Sequence, residues 1–299
     1  STQQMNFVVL SNEKILFSVI TPTYNRSEKL KNCFLSLQKQ TFSNFEWLII
    51  DDGSIDETKA LVDKWKNKLN IQYFYQENSG KPSAVNKGII NSKGKYFVVL
   101  DSDDIPVPDA FEKIIYYLKE SSDQTIAVGF LTQDSNGKII GTDFPMDIWN
   151  SSILEAYSKF NIQGDKWLAF KTIIAKNFLF PIYENEKLVP EGLVFNRMAR
   201  TGFKIDFINL PLLIHDYQSD GITMNINKIR IENPIGFFSY YFENIISNEF
   251  IFNKYYLKKV VAMLYLLTNK SIHPLKVFIF LVLSFPLLAV KLILDKLKE

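Results

Sequence analysis

Cysteine and histidine are almost missing from this sequence. Cys33 stands alone, so no intrachain disulfide can form, and with only His215 and His273 beside it a Cys/His zinc site cannot be assembled. Disulfides belong to oxidising compartments, so a reducing one is expected. Neither sign of charge is in excess, since 34 Lys+Arg against 32 Asp+Glu leave +2. Such a balance lacks the broad basic surface that holds nucleic acid, and none is expected as a partner. The first residues carry no basic stretch. The apolar run at residues 7–10 is far shorter than the roughly 7–15 residues of a signal core, and no export signal is expected. Internal repeats and low-complexity tracts are absent as well. Apolar residues are plentiful: 47% hydrophobic and 14% aromatic residues in a 299-residue chain support one large core or two modest ones and exclude wholesale disorder.

The first third alternates β-branched apolar runs with amphipathic stretches, the pattern of βαβ units on a parallel sheet. Strands are predicted at residues 15–21, 45–50, 71–75 and 96–100, with helices at 27–40, 56–69 and 83–91. Ser27 is placed to cap the first helix, and Cys33, beside its apolar stripe, reads as a small packing residue. A helix after Pro108 carries Phe111, Ile114, Ile115 and Leu118 at helical spacing. Further strands are predicted at 126–131, 167–170, 204–207 and 212–214, a hairpin or mobile loop at 133–146, and a helix at 191–200. Beyond residue 225 the pattern is helical and rich in Phe, Tyr and Leu, with clustered charge such as Lys258 and Lys259.

Within that extension, residues 277–290 are uncharged and apolar all round. At about 1.5 Å per residue, 14 residues reach roughly 21 Å, short of the ~30 Å hydrocarbon layer, and Pro286 would kink them. An interfacial or re-entrant segment flanked by Lys276 and Lys291 is preferred over a core or dimerisation helix, which leaves a homo-oligomer as an open alternative.

Four motifs fall at carboxyl ends of predicted strands, where open α/β sheets bind ligands. The first is Thr21-Pro22-Thr23-Tyr24-Asn25-Arg26, a turn able to hold a flat base or a phosphate. The second, Asp51-Asp52-Gly53-Ser54, reads either as turn punctuation or as paired acceptors for a ribose or a base N–H. The third runs Asn78-Ser79-Gly80-Lys81-Pro82 and opens a helix containing Asn86; it is a plain helix start or a site where Lys81 and the helix N-terminus meet an anion. The fourth, Asp101-Ser102-Asp103-Asp104, follows an all-apolar strand. A helix cap needs one carboxylate and not three, and oxygen donors one residue apart suit Mg²⁺ or Mn²⁺ with a diphosphate completing the shell.

In this order the motifs resemble the family 2 glycosyltransferases. The resemblance covers roughly the first 120 residues and implies an α/β fold of GT-A type, a Rossmann-like, mostly parallel sheet flanked by helices. Residues 1–225 would be the glycosyltransferase domain, with a donor half at 15–120 and an acceptor half at 121–225, and 226–299 a helical C-terminal extension. It further implies a nucleotide-sugar donor, commonly UDP-linked, a DxD-bound divalent metal (Mn²⁺ or Mg²⁺) and inversion at the anomeric carbon. Carried over by position, Thr21, Pro22, Tyr24, Asp51 and Asp52 would hold the nucleoside. Lys81 and Asn86 would lie near the ribose or diphosphate, and Asp101, Ser102 and Asp103 at the metal and donor ribose. Family members place a catalytic carboxylate, often an acidic pair, before a helix of the second half. Here Glu191 precedes Gly192, so Glu191 is the expected base, with Asp165 next. Either it is the base, or it complements the helix dipole after Pro190. His215 is expected as a metal or diphosphate contact, or as an ordinary hydrogen-bonded histidine.

The function implied is transfer of a sugar to a saccharide or polyprenyl-linked saccharide acceptor in surface polysaccharide synthesis, at the cytoplasmic face of the cell membrane. The rivals are a nucleotidyltransferase acting on a sugar phosphate and a catalytically silent membrane scaffold. The first usually needs a Gly-rich basic loop that Thr21–Arg26 lacks, and the second gains nothing from clustered carboxylates.

Overall fold

The computed structural model describes residues 15–215, 225–246, 260 and 263. The apolar segment at 277–290 and the basic Lys258 and Lys259 lie outside the described residues. Among those described, no helix is long and apolar enough to cross a membrane.

The chain begins as regular β–α units: β1 (Phe17–Thr23), α1 (Ser27–Gln38), β2 (Phe45–Asp51), α2 (Thr58–Trp65), β3 (Ile71–Tyr75), α3 (Lys81–Asn91) and β4 (Tyr96–Val99). These strands pair in parallel in the order β3-β2-β1-β4. Alternation along them feeds two cores. Phe17, Val19, Trp47, Ile49 and Val98 face the side covered by α1 and α2, while Ile20, Leu48, Ile50 and Phe97 face α3. Ser27 is the first helical residue of α1 and not its cap. The backbone N–H of Ser27 is instead capped from outside by the Asp56 carboxylate at 2.9 Å.

After β4 come the two-residue strand β5 (Ile105–Pro106), α4 (Ala110–Glu120), β6 (Thr125–Gln133), β7 (Ile148–Ser151), α5 (Ile153–Ser158), β8 (Lys166–Lys171), α6 (Thr172–Ala175), α7 (Glu191–Arg200) and β9 (Lys204–Ile214). Strand β8 runs antiparallel between β4 and β6, so the sheet, parallel through its first half, is mixed thereafter. The two short strands expected at 204–207 and 212–214 are one strand with register shifts against β6. At the irregularity, the Asn209 amide donates to the Phe144 and Met146 carbonyls and accepts from the Phe144 N–H, which fastens the loop before β7. The hairpin expected in that loop exists as an antiparallel bridge between Gln133 and Ile139.

Helices α8 (Ile226–Glu232) and α9 (Pro234–Ile246) follow. Helix α9 is tied to α7: Glu243 accepts from Arg197 Nε at 3.0 Å and Nη2 at 2.5 Å, and the Asn196 amide donates to Asn244 at 2.8 Å. Cβ-less Gly192 makes this approach feasible, because a methyl group there would stand 2.9 Å from the Tyr240 ring.

Candidate active site

The four motif loops meet at the carboxyl edge of β1–β4, and carboxylates hold them in place. Asp51 Oδ1 accepts the Ser54 N–H at 2.7 Å, and its Oδ2 accepts the Tyr73 hydroxyl at 2.6 Å. Buried Asp52 takes three donors from the next loop: Gln76 Nε2 at 2.7 Å, and the backbone N–H groups of Ser79 and Gly80, each at 2.8 Å. Gly80 is required twice over, with φ +89° and a place for Cβ only 2.0 Å from the Lys187 carbonyl oxygen. The Asn25 side chain accepts from the Ile55 N–H, and its own N–H donates to Ser54, lacing the first loop to the second.

This shaped edge presents three acid–cation pairs. Lys81, the first residue of α3, places Nζ 2.7 Å from Asp101 and 3.2 Å from Glu191. Burial pulls the Lys81 pKa down, but the two carboxylates outweigh it and hold the ammonium above its ordinary value. Arg26 donates to Asp103 at 2.9 Å, with Lys29 Nζ 3.7 Å away. His215 Nδ1 lies 2.6 Å from Asp104, brought there by the pairing of β5 with the end of β9. Burial raises the Asp104 carboxyl, the His215 hydrogen bond opposes it, Asp101 adds to the rise, and the outcome is about 6. That same bond pushes His215 up to about 9, so near neutral pH the two form an ion pair.

A cavity of about 460 Å³ opens between these groups, with Arg26, Lys81, Asp101, Asp103, Asp165 and Glu191 at its walls. Among the described residues no group of three or more His, Cys, Asp and Glu converges as a metal shell. Of the expected ligand set of Asp101, Asp103 and His215, His215 is held through Nδ1 by Asp104, the kind of carboxylate bond that also orients metal-bound imidazoles. Asp101 and Asp103 keep the donor chemistry: two hard carboxylates facing one cavity, the complement from which a small divalent ion completes its shell with phosphate oxygens and water.

Other expected residues divide cleanly. Tyr24 is half exposed beside Pro22, open to a ligand. Thr21 is fully buried and its hydroxyl accepts from the Trp47 indole at 2.8 Å, so its side chain serves the core and not a nucleoside. Asn86 is likewise corrected: its amide both donates to and accepts from the Phe180 backbone, at 2.8 and 2.9 Å, and serves as a staple. Ser102 is buried. Cys33 is buried, which pushes its thiol well above the ordinary range and fits a packing role. Sequence reasoning passed over Arg26 and Lys29 as partners of Asp103. Their position one turn beyond an acidic edge was the available signal, since carboxylates gathered there need cations.

A single sheet between helix layers, parallel with acid-tipped strands in its first half and mixed in its second, is the arrangement of GT-A glycosyltransferases. The model of the family described as glycosyl transferase family 2 matches residues 18–179, and the chain belongs to that family. An uncharacterised glycosyltransferase of Rickettsia conorii is 42% identical over 114 residues, covering 38% of this chain and 18% of that protein. The match therefore spans less than a fifth of that relative's length. Glycosyltransferase GlyG of Streptococcus pneumoniae is 28% identical over 218 residues, 69% of this chain and 72% of GlyG. Among solved structures, residues 1–349 of S. aureus TarS in complex with UDP superpose with a TM-score of 0.62 at 21% identity, covering 86% of this chain and 72% of that one. The mannosyltransferase PcManGT of Pyrobaculum calidifontis, with GDP-Man and Mn²⁺, gives 0.57 at 17% identity over 92% and 81%. At such identities the likeness is one of fold.

Proposed function

We propose that the chain is an inverting glycosyltransferase that moves a sugar from a UDP-linked donor to a hydroxyl of a saccharide or lipid-linked saccharide acceptor in surface polysaccharide synthesis. The observation that carries this reading is the position of Lys81, whose ammonium lies between Asp101 on the donor side and Glu191 on the acceptor side. TarS with UDP or UDP-GlcNAc and PcManGT with GDP-Man and Mn²⁺ support a nucleotide-sugar of this kind.

Tyr24 and Pro22 offer the exposed wall for a base, and Asp51 and Asp52 keep the loops beneath it rigid through their hydrogen bonds. Asp101 and Asp103 are the residues to hold Mn²⁺ or Mg²⁺, which when bound supplies Lewis-acid neutralisation of the leaving diphosphate. Lys81 and Arg26, now paired with those carboxylates, are close enough to turn toward phosphate oxygens. Glu191, at the start of α7 and half exposed, accepts the proton of the acceptor hydroxyl as the new glycosidic bond forms. The apolar residues 277–290 hold the enzyme peripherally at the inner membrane face.

Release of nucleoside diphosphate from a panel of nucleotide-sugars, with Mn²⁺ and with a chelator, tests the activity. Glu191→Gln is expected to keep donor affinity and lose transfer by roughly 10²- to 10⁴-fold. Unchanged transfer would move the base to another group, with Asp165 next. Failure of every nucleotide-sugar to bind in the presence of manganese would remove the reading altogether.

A further inference from the structure

Four of the elements that line the cavity change character along their length in the same sense. On β4 and the residues after it, Asp101 stands at the rim, followed inward by Val99 and Phe97 on the same face. Antiparallel β8 repeats this with Lys166, Leu168 and Phe170. Helix α3 begins with Lys81 and continues inward with Val85 and Ile89, and α7 begins with Glu191 and continues with Val194 and Met198, all at helical spacing. From Glu191 to Met198 the descent is about 10 Å at the helical rise, and from Asp101 to Phe97 about 13 Å along the extended chain. Stacked rings close one wall, Phe97 on Phe170 with centroids 5.4 Å apart and Phe170 on Phe195 at 5.8 Å. Ile226 of α8 and Phe237 of α9 also line the cavity.

The proposed transfer uses only the charged rim. A nucleoside diphosphate or a free sugar carries oxygen on every face, and burying those oxygens against such walls would leave them without partners. The interior calls for hydrocarbon, and its opening beside Glu191 calls for a hydroxyl on the same molecule. We propose that this inner chamber receives the first carbons of a hydrocarbon chain carried by the acceptor, so that the acceptor is a lipid glycoside seated chain inward and sugar at the rim. The orientation rests on the transfer reading above; the binding of hydrocarbon does not.

Methyl, hexyl and octyl β-glucosides, below their micellar concentrations, are the probes, titrated against the full chain by calorimetry and by the fluorescence of tryptophan, Trp167 being at the cavity wall. Affinity is expected to rise at least tenfold from methyl to octyl. Val194→Phe, which fills the chamber from α7, is expected to erase that rise while leaving manganese-assisted binding of UDP-glucose unchanged. Ala175→Leu fills it from α6, should Val194→Phe fail to fold. A flat alkyl series on the wild-type chain would mean a packing void only, and a rise that survives a folded filling variant would put the alkyl chain elsewhere on the protein; either overturns the proposal. Chain-length-dependent binding without turnover of any nucleotide-sugar would leave the chamber standing and remove the transfer reading. Turnover with a flat series would do the reverse.

Discussion

The proposed donor edge and the proposed acceptor side of this molecule are stabilised in opposite ways. At the donor edge, carboxylates bind backbone N–H groups of neighbouring loops over short spatial range: Asp51 to Ser54, Asp52 to Ser79 and Gly80, and Asp56 to Ser27 and Thr58. Each acid fixes a loop that follows a parallel strand, so the edge is rigid before any ligand arrives. On the acceptor side, the helix bearing Glu191 is positioned by charge pairs with a helix some 45 residues further on, Arg197 and Arg200 reaching Glu243. The contrast teaches that the edge proposed to hold the nucleotide is built from turns, whereas Glu191, the proposed base, is set by an element added after the sheet is complete.

The strongest challenge to that contrast is Asp52→Ala. It would leave the buried Gly80 N–H and the Ser79 N–H without their acceptor, and the Gln76 amide with only a 3.3 Å contact to Ser83. A loss of about 3 kcal/mol in unfolding free energy is expected by denaturant titration. A change within about 0.5 kcal/mol would mean that the loops hold themselves and the carboxylate is spare for ligand.

Next comes the remote clamp. Glu243→Gln keeps the shape but weakens both arginine contacts, and a small shift of α7 displaces Glu191 at its far end. The expected result is a roughly ten- to hundredfold fall in kcat with donor KM unchanged, Glu243→Asp restoring part of it. Equal losses in kcat and donor affinity, or a fall in thermal stability that accounts for the activity, would make the clamp merely structural.

Local chemistry is also what made one side legible in the sequence. Acid-tipped strands and their loops lie within a few residues of an apolar run, and α7 has the bounds that Pro190 and its apolar spacing indicate, Glu191–Arg200. Long-range pairings left no such trace. Asp103 finds Arg26 across 77 positions and His215 finds Asp104 across 111, so neither partner could be named from the sequence. Strand β7 (Ile148–Ser151) and α5 (Ile153–Ser158) escaped because each is too short to show a period, and they form where β9 and the Ser152 cap impose them. Thr21 and Asn86 carried family expectation onto side chains that the core had already claimed.

The smallest effect sharpens the local side of the comparison. Asp56 accepts from the Ser27 N–H of α1 at 2.9 Å and from the Thr58 N–H and hydroxyl of α2 at 3.1 and 2.6 Å, so one exposed carboxylate caps two helices. Burial works to raise its pKa, and the bonds from Thr58 and Ser27 outweigh it, holding the carboxyl below its ordinary value. A depressed folded-state pKa contributes stability above the unfolded carboxylate value, and that contribution is lost as pH falls through the folded one. Asp56→Ala should therefore be less stable than the wild type by about 1 kcal/mol at pH 7, the usual worth of a cap. The gap in melting temperature should hold at pH 6 and 5 and close as the solution is taken below the ordinary carboxylate range. A gap independent of pH would show that the side chain acts by packing, since only the ionised oxygens distinguish the two states.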